Sequence, residues 1–453
     1  MIDKVNEINK TDMKIRHKIN LLLLSFLVFS SFLGTNTLSF DTPLFKLSLF
    51  RIVFLVYSLF FLVNFFISLK REGIKKLFVK NNIEISLSLI YLIWFLLSLA
   101  SVFWAKDKVD AIKTCVYVGI GFFSILYIVV GVKTKYDLLI LLRAAAIGLS
   151  FHHVLSWSEI ITGEHIYPSI TFSENRLGNM PISSLGNPNN LATIILISTV
   201  ISLILCAIEK NIFLKILSTL MFMSSFGIIY FSTSKANILG LIVFLGVVFV
   251  IYAYNIFNKK YTYRSLLYVM LVLLILFIGL IIFYLYKKNI FLKLDKLFDN
   301  IWVPIYGSIV NRFKLYLNGI FLLLSTKGIG VGAGNVEHYL QTVITYPTDT
   351  INMHSWFVEI LACFGIVFFI LYMVYYIKFA LLILKEIEYS NKKGKFLLSV
   401  SVAYLFAFIM SSFSASTLIL YDWVFIIFGL ISAVYAVVKR SNANKEKIIN
   451  KID

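Results

Sequence analysis

The chain has 453 residues, of which 59% are hydrophobic, 16% aromatic and only 14% charged, where a soluble domain carries about 25% charged residues. That balance excludes a soluble globular enzyme and implies an all-α, polytopic membrane bundle, because lipid leaves no bare backbone satisfied and a helix closes its own hydrogen bonds. The net charge of +19 would suggest nucleic acid in a soluble protein; here the basic residues fall between apolar runs, so they read as a topology signal and no nucleic-acid partner is expected.

A bilayer core takes about 20 apolar residues per helix. Spans are predicted near 19–34, 48–69, 83–103, 111–132, 138–160, 190–208, 212–231, 237–257, 265–286, 355–384, 396–413 and 421–438, about twelve in all. The first run lacks a small-residue cleavage site and is followed by many others, so it reads as a retained anchor. Cys115, Cys206 and Cys363 fall inside apolar stretches and give neither a disulfide framework nor zinc spacing.

An even number of spans puts both termini on one side. The tail 1–18, the segments "KREGIKKLFVK", "KTK", "EKN", "NKKYTYR" and "KEIEYSNKKGK", and the tail 439–453 hold most of the 42 lysines and arginines. Those segments are therefore cytoplasmic by the positive-inside rule, and they suit anionic lipid. The expectation is one integral domain over 1–453 in the cytoplasmic (inner) membrane, with two long outer loops, 161–189 and 287–353. Loops of that length usually carry function.

The first loop carries Arg176 and then "GNPNNLA", where Asn189 or Asn190 is placed to cap the helix beginning near Leu191. The second opens on "YKKNIFLKLDKLFDN", an interfacial charged helix. Asp295 and Asp299 stand four apart there, but Lys293 and Lys296 already offer them partners, so no metal site is expected. Residues 310–324 form an apolar helical stretch too short to span easily, interfacial or re-entrant, with Arg312 near its start. Glycines 328, 330, 332 and 334 follow. They read either as a bendable connector or as backbone able to approach a ligand closely; without a "GK[ST]" or a preceding strand they are no Walker loop.

The loop closes on "MHSWFVEILACFG". His354 stands at the mouth of the next span, and Glu359 lies one turn in. Alone, a histidine there reads as an interfacial cap. In company with Arg176 and Arg312 on the same predicted side it suits group transfer: arginines clamp a diphosphate with forked contacts, and a neutral imidazole takes a proton near neutral pH.

In these motifs the chain resembles the O-antigen ligase and polymerase superfamily of bacterial membrane proteins. The matching stretches, in order over roughly 170–375, are Arg176 with "GNPNNLA", "STSKANILG", Arg312 with "GIGVGAGN", and "HSWFVEILACFG". Lys235 stands where the superfamily often has arginine, Ser355 where asparagine is common, and Tyr316 where an aromatic, often tryptophan, is expected. The resemblance implies transfer of a glycan from undecaprenyl diphosphate to an acceptor hydroxyl at the outer face of the cytoplasmic membrane, with no cofactor and no metal. It implies diphosphate binding by Arg176 and Arg312, His354 as the base, and supporting places for Lys235, Glu359, Asn189 and Tyr316. His338, earlier in the same loop, is the next histidine to consider.

The acceptor stays open. A polymerase moves the growing chain onto another lipid-linked repeat unit for O-antigen, capsule or teichuronic-type polymer, working beside a flippase and a chain-length regulator. A ligase moves finished polymer onto lipid A core. A lipid-linked oligosaccharide flippase or other transporter is the reading from another class. Such proteins place ionisable groups mid-membrane, whereas few charges lie deep in a predicted span here.

Overall fold

The structure, a computed structural model, describes residues 2–34, 36–41, 46–73, 82–169, 177–257, 308–343, 346–348 and 350–449, at some helix ends as backbone alone. The chain is all-α apart from a two-stranded antiparallel hairpin, β1 (Ser39–Asp41) and β2 (Lys46–Ser48), between the first two helices. The helices are α1 (Ile2–Ser31), α2 (Leu49–Glu72), α3 (Asn82–Ser101), α4 (Lys108–Gly131), α5 (Lys135–Thr162), α6 (Pro188–Ile208), α7 (Ile212–Phe231) and α8 (Lys235–Phe257). They continue as α9 (Ser308–Ser325), α10 (Val336–Thr342), α11 (Trp356–Tyr389), α12 (Lys392–Ser411) and α13 (Asp422–Ile449).

Among the described residues, 9 helices are long and apolar enough to cross a bilayer, so this is a multi-pass membrane protein. Every predicted span coincides with a helix except 265–286, which lies outside the described residues, as do Asp295, Asp299 and the rest of 287–307. The short stretch at 310–324 is helical, as α9. Over the described residues the tails 1–18 and 439–453 continue the helices of their spans: α1 begins at Ile2 and α13 runs to Ile449.

Burial sorts the helices. The apolar window of α13 is 94% buried and those of α6 and α12 are 78% and 72% buried, so these form the centre; α2 at 17% and α7 at 22% form the rim that faces lipid. In lipid no hydrophobic force drives helix against helix, so close packing and polar contacts must hold the centre. Aromatic rings supply the packing: Trp94 on α3 meets Trp356 on α11 at 5.3 Å between ring centres and Phe425 on α13 at 6.0 Å.

Polar pins supply the rest. On α5, His152 bonds Ser183 (2.9 Å) and the Phe32 carbonyl (2.6 Å), and His153 bonds Ser198 and Ser224, both at 2.8 Å. Two imidazoles therefore lie inside the span predicted at 138–160, as hydrogen-bonded pins. Each ring nitrogen is occupied by a hydroxyl or carbonyl that ties α1, α6, α7 and the 177–186 turn to α5.

α11 is not one smooth helix. At Gly365 the backbone is non-helical (φ 81°, ψ 174°). The carbonyls freed there, Ala362 and Cys363, accept from the Val331 and Gly332 amides, and the Ile366 amide donates to the Gly328 carbonyl, each at 2.9 Å. The glycine run thus docks on the broken helix. A Cβ on Gly330 would stand 2.6 Å from the Cys363 carbonyl oxygen and from the Gly365 nitrogen. Close approach is what the glycines provide, and it is approach to another backbone.

Candidate functional site at the His354 end

α11 starts at Trp356 because Ser355 caps it, its hydroxyl accepting from the Val358 amide at 3.4 Å. Trp356 is fully buried, and its indole donates to the Tyr372 hydroxyl at 3.0 Å. With that ring locked below, the chain must turn sharply to enter the helix. His354 makes the turn at φ 48°, the left-handed region, which costs a non-glycine residue about 1–3 kcal/mol and persists only where the surroundings enforce it.

Two contacts enforce it. The Tyr316 hydroxyl donates to the His354 carbonyl, and the His354 Nδ1 faces the Ser414 carbonyl, both at 3.3 Å. A carbonyl only accepts, so in the neutral imidazole Nδ1 carries the hydrogen and Nε2 is left as the free base. Burial pushes the His354 pKa below its ordinary value; the Arg312 guanidinium adds to this, and the Ser414 carbonyl opposes it. The imidazole is therefore neutral at pH 7 and its basic nitrogen is available.

Arg312 and Tyr316 lie four apart on α9 and so share a face. α9 packs along α11, which brings that face to His354. Tyr316 rests its ring on Phe413 at 5.9 Å, and burial raises its pKa to about 12, so it acts as a neutral donor. Arg312 is half-buried, and burial lowers its pKa; a guanidinium nonetheless stays charged at any physiological pH. A fixed cation, a neutral base and a hydroxyl donor are thereby held at one end of the bundle.

The Ser414 carbonyl is held in turn by a polar network. Asn237, on the first turn of α8, donates to the hydroxyls of Ser414 (2.8 Å) and Ser234 (3.0 Å), and its amide oxygen accepts from Ser411. Asn190, on the first turn of α6, donates to the Tyr421 hydroxyl at 2.7 Å and accepts from the Ser416 amide at 3.1 Å. Three helix ends, α6, α8 and α12, are so tied beneath the imidazole. Two more strained residues flank the network, Thr233 at φ 55° and Thr417 at φ 38°.

The residues singled out in the sequence fall as follows. His354, Arg312 and Tyr316 come together. Arg176 lies outside the described residues. Lys235 is exposed at the start of α8, two residues from Asn237. The helix cap expected at Asn189 or Asn190 is made by Asn187, whose side chain accepts from the amides of both (2.8 and 3.4 Å); Pro188 sets the first helical residue and has no amide of its own. Asn189 offers its carbonyl to Asn237 at 3.3 Å, and Asn190 is the buried neighbour that reaches inward.

Glu359 is buried, and one carboxyl oxygen has no hydrogen-bond partner among the described residues. His338 sits half-buried on α10 against the Tyr339 ring. Its neighbour Glu337 has its carboxyl pushed above the ordinary range by burial, while the Thr417 hydroxyl, donating at 3.3 Å, opposes the shift. Ser414 and Asn237 escape a sequence reading that looks for charged groups, and Asn190 enters it only as a helix cap. The signal available is the run "SSFSAS", six small or aromatic residues between two apolar spans.

The fold and this end define a polytopic α-helical membrane protein with a polar, partly strained site where several helices terminate. No family model matches the chain. It is similar to the teichuronic acid biosynthesis protein TuaE of Bacillus subtilis (strain 168), with 27% identity over 368 residues, covering 79% of this chain and 73% of that protein.

Proposed function

We propose that the protein takes part in the biosynthesis of a cell-surface polysaccharide and polymerises its lipid-linked repeat units. The single observation that carries the chemistry is His354: a neutral imidazole, its tautomer set by the Ser414 carbonyl, standing beside Arg312 at the mouth of a span. The resemblance to the O-antigen ligase and polymerase superfamily and the likeness to a teichuronic acid biosynthesis protein give the substrate class.

In this reading Arg312, with Arg176, binds the diphosphate of an undecaprenyl-diphosphate-linked glycan lying in the outer leaflet. Nε2 of His354 takes the proton of an acceptor hydroxyl as its oxygen bonds to the anomeric carbon. The bond from that carbon to the diphosphate oxygen breaks, and the electron pair leaves with the lipid diphosphate. Tyr316 holds the His354 backbone, and Lys235, exposed nearby, adds charge at the same face. The polymer reading is favoured over ligation to lipid A core because the relative's name is that of a teichuronic acid protein.

Purified protein in liposomes, given polyprenyl-diphosphate-linked repeat units, tests this. Chains longer than one unit should form. Arg312→Ala should lose donor binding, while Arg312→Lys should keep part of it, because a point charge cannot make the forked contact. A chelator should leave the rate unchanged. Movement of the units across the bilayer with no elongation would establish the transporter reading instead.

A further inference from the structure

At the opposite end of the bundle lies a second feature that group transfer does not use. α11 leads from His354 to Tyr389, so the next turn and the start of α12 stand at the far side from the site. α6 and α8 likewise begin in the His354 network and end at that far side. There the ends of α6 and α8 and the first two turns of α12 enclose an open cavity of about 760 Å³. Its walls are apolar, with Val248, Tyr252 and Phe396, and its lining includes Lys392, Lys393 and Lys395.

Three lysines in the first turn of a helix are placed against the field of that helix, whose N-terminal end is already positive. The first turn holds no acidic residue, and among the described residues no carboxylate pairs with any of the three. An arrangement that costs energy in the free protein is relieved by an anion. The volume is in the range of small-ligand sites, and the combination of an apolar wall with a basic rim at a membrane boundary matches an anionic amphiphile.

We propose that this cavity binds an anionic glycerophospholipid, its phosphate against Lys392, Lys393 and Lys395 and its acyl chains along Val248, Tyr252 and Phe396. Basic pockets between spans take acidic lipid headgroups in this manner. By the charge reading of the sequence the leaflet is the cytoplasmic one. The bound lipid would wedge α8 against α12, the two helices whose other ends carry Asn237 and Ser411.

The test is a titration of the full chain in detergent, read by native mass spectrometry, with phosphatidylglycerol and with phosphatidylcholine of the same acyl chains. The wild type should retain phosphatidylglycerol preferentially. The preference should fall about five-fold for each lysine removed, through Lys392→Gln, Lys393→Gln and Lys395→Gln. Ala207→Phe, which fills the cavity and leaves the charges, should also lose it. Lys135→Gln, Lys210→Gln and Lys215→Gln together remove three exposed lysines from the same end and should leave it intact. Equal loss in that control would reduce the effect to net charge and overturn the site. Undiminished preference in the triple lysine variant or in Ala207→Phe would overturn it too, as would equally tight binding of soluble glycerol phosphate.

Discussion

The two ends of the bundle are built by different means. At the far end three described helix starts are capped by residues next to them in sequence, and one ion pair ties α5 to α6. Thr134 and Asp137 form a reciprocal capping box at the start of α5, Asn211 caps α7 and Asn391 caps α12, and Glu209, at the end of α6, binds Arg143 with two contacts of 2.8 Å. At the His354 end the turns contain Leu38, Ser183, Thr233, Lys327, His354 and Thr417, every non-glycine residue with positive φ among the described residues. Three of them are held by partners distant in sequence: Ser183 by the Glu159 carboxylate, His354 by the Ser414 carbonyl and Thr417 by the Glu337 carboxyl. Strain held in place by distant contacts is what a positioned site needs; relaxed local caps are what an anchor needs.

Variants at the two ends should separate these roles. The sharpest contrast is all-or-none: in a background lacking Cys115, Cys206 and Cys363, Thr350→Cys should react with a membrane-impermeant thiol reagent on intact cells and Lys210→Cys should not. The reverse pattern would place the site in the cytoplasm and remove the proposed substrate.

Next in size is His354. His354→Gln should slow elongation on the order of 10²–10⁴-fold, the usual yield of positioned acid–base catalysis, with donor binding retained in a lipid-pulldown assay. Near wild-type elongation would reduce His354 to a turn residue and direct attention to His338. In the wild type the pH profile should carry the same signature. Burial holds the native pKa below the ordinary 6.5, so the rate should fall only as the pH drops below that value. Stability follows the same sign: the native state binds fewer protons than the unfolded chain in that window, so the contribution of the neutral imidazole is intact above 6.5 and is lost as the pH falls towards the depressed value.

Gly330→Ala should cost about 3 kcal/mol or more, since it combines positive-φ strain with overpacking against backbone. Thermal unfolding in detergent would register it as a lower transition, and an unchanged transition would mean that the glycine loop does not seat in the break at Gly365. Asn237→Ala removes the amide that joins Ser234, Ser411 and Ser414. It should cost about 1–3 kcal/mol for the groups left unpaired and lower kcat with KM unchanged, because it loosens the carbonyl that sets the imidazole tautomer. The smallest effect is expected at the far end. Arg143→Gln leaves Glu209 its amide donors at Lys210 and Asn211, so it should cost about 1–2 kcal/mol and leave elongation unaltered.

How much of this could be read in advance depends on the range of the interactions involved. Spans are local: a run of apolar residues is long enough or it is not, and the helices follow the predicted stretches from α1 to α13 wherever the residues are described. The start of α11 after Ser355 and the placing of Arg312 and Tyr316 on one helix face are also local, through capping and the i,i+4 spacing. Local pattern alone was therefore enough for a helical membrane bundle, the approximate positions of its described spans and two of the residues, Arg312 and His354, that come together at one end.

The remaining features depend on contacts between helices distant in the chain. Whether Arg312 reaches His354 depends on how α9 lies against α11. Which nitrogen of His354 is free depends on a serine carbonyl 60 positions away. The role of the glycine run depends on a break in a helix that reads as continuous, since Gly365 is one small residue in an apolar stretch and only a partner backbone reveals why it must be glycine. Neutral polar residues such as Asn237 and Ser414 carry no period and no charge to mark them. They acquire their meaning from burial together, where an unpaired amide or hydroxyl is costly and a paired one fixes the position of everything bonded to it.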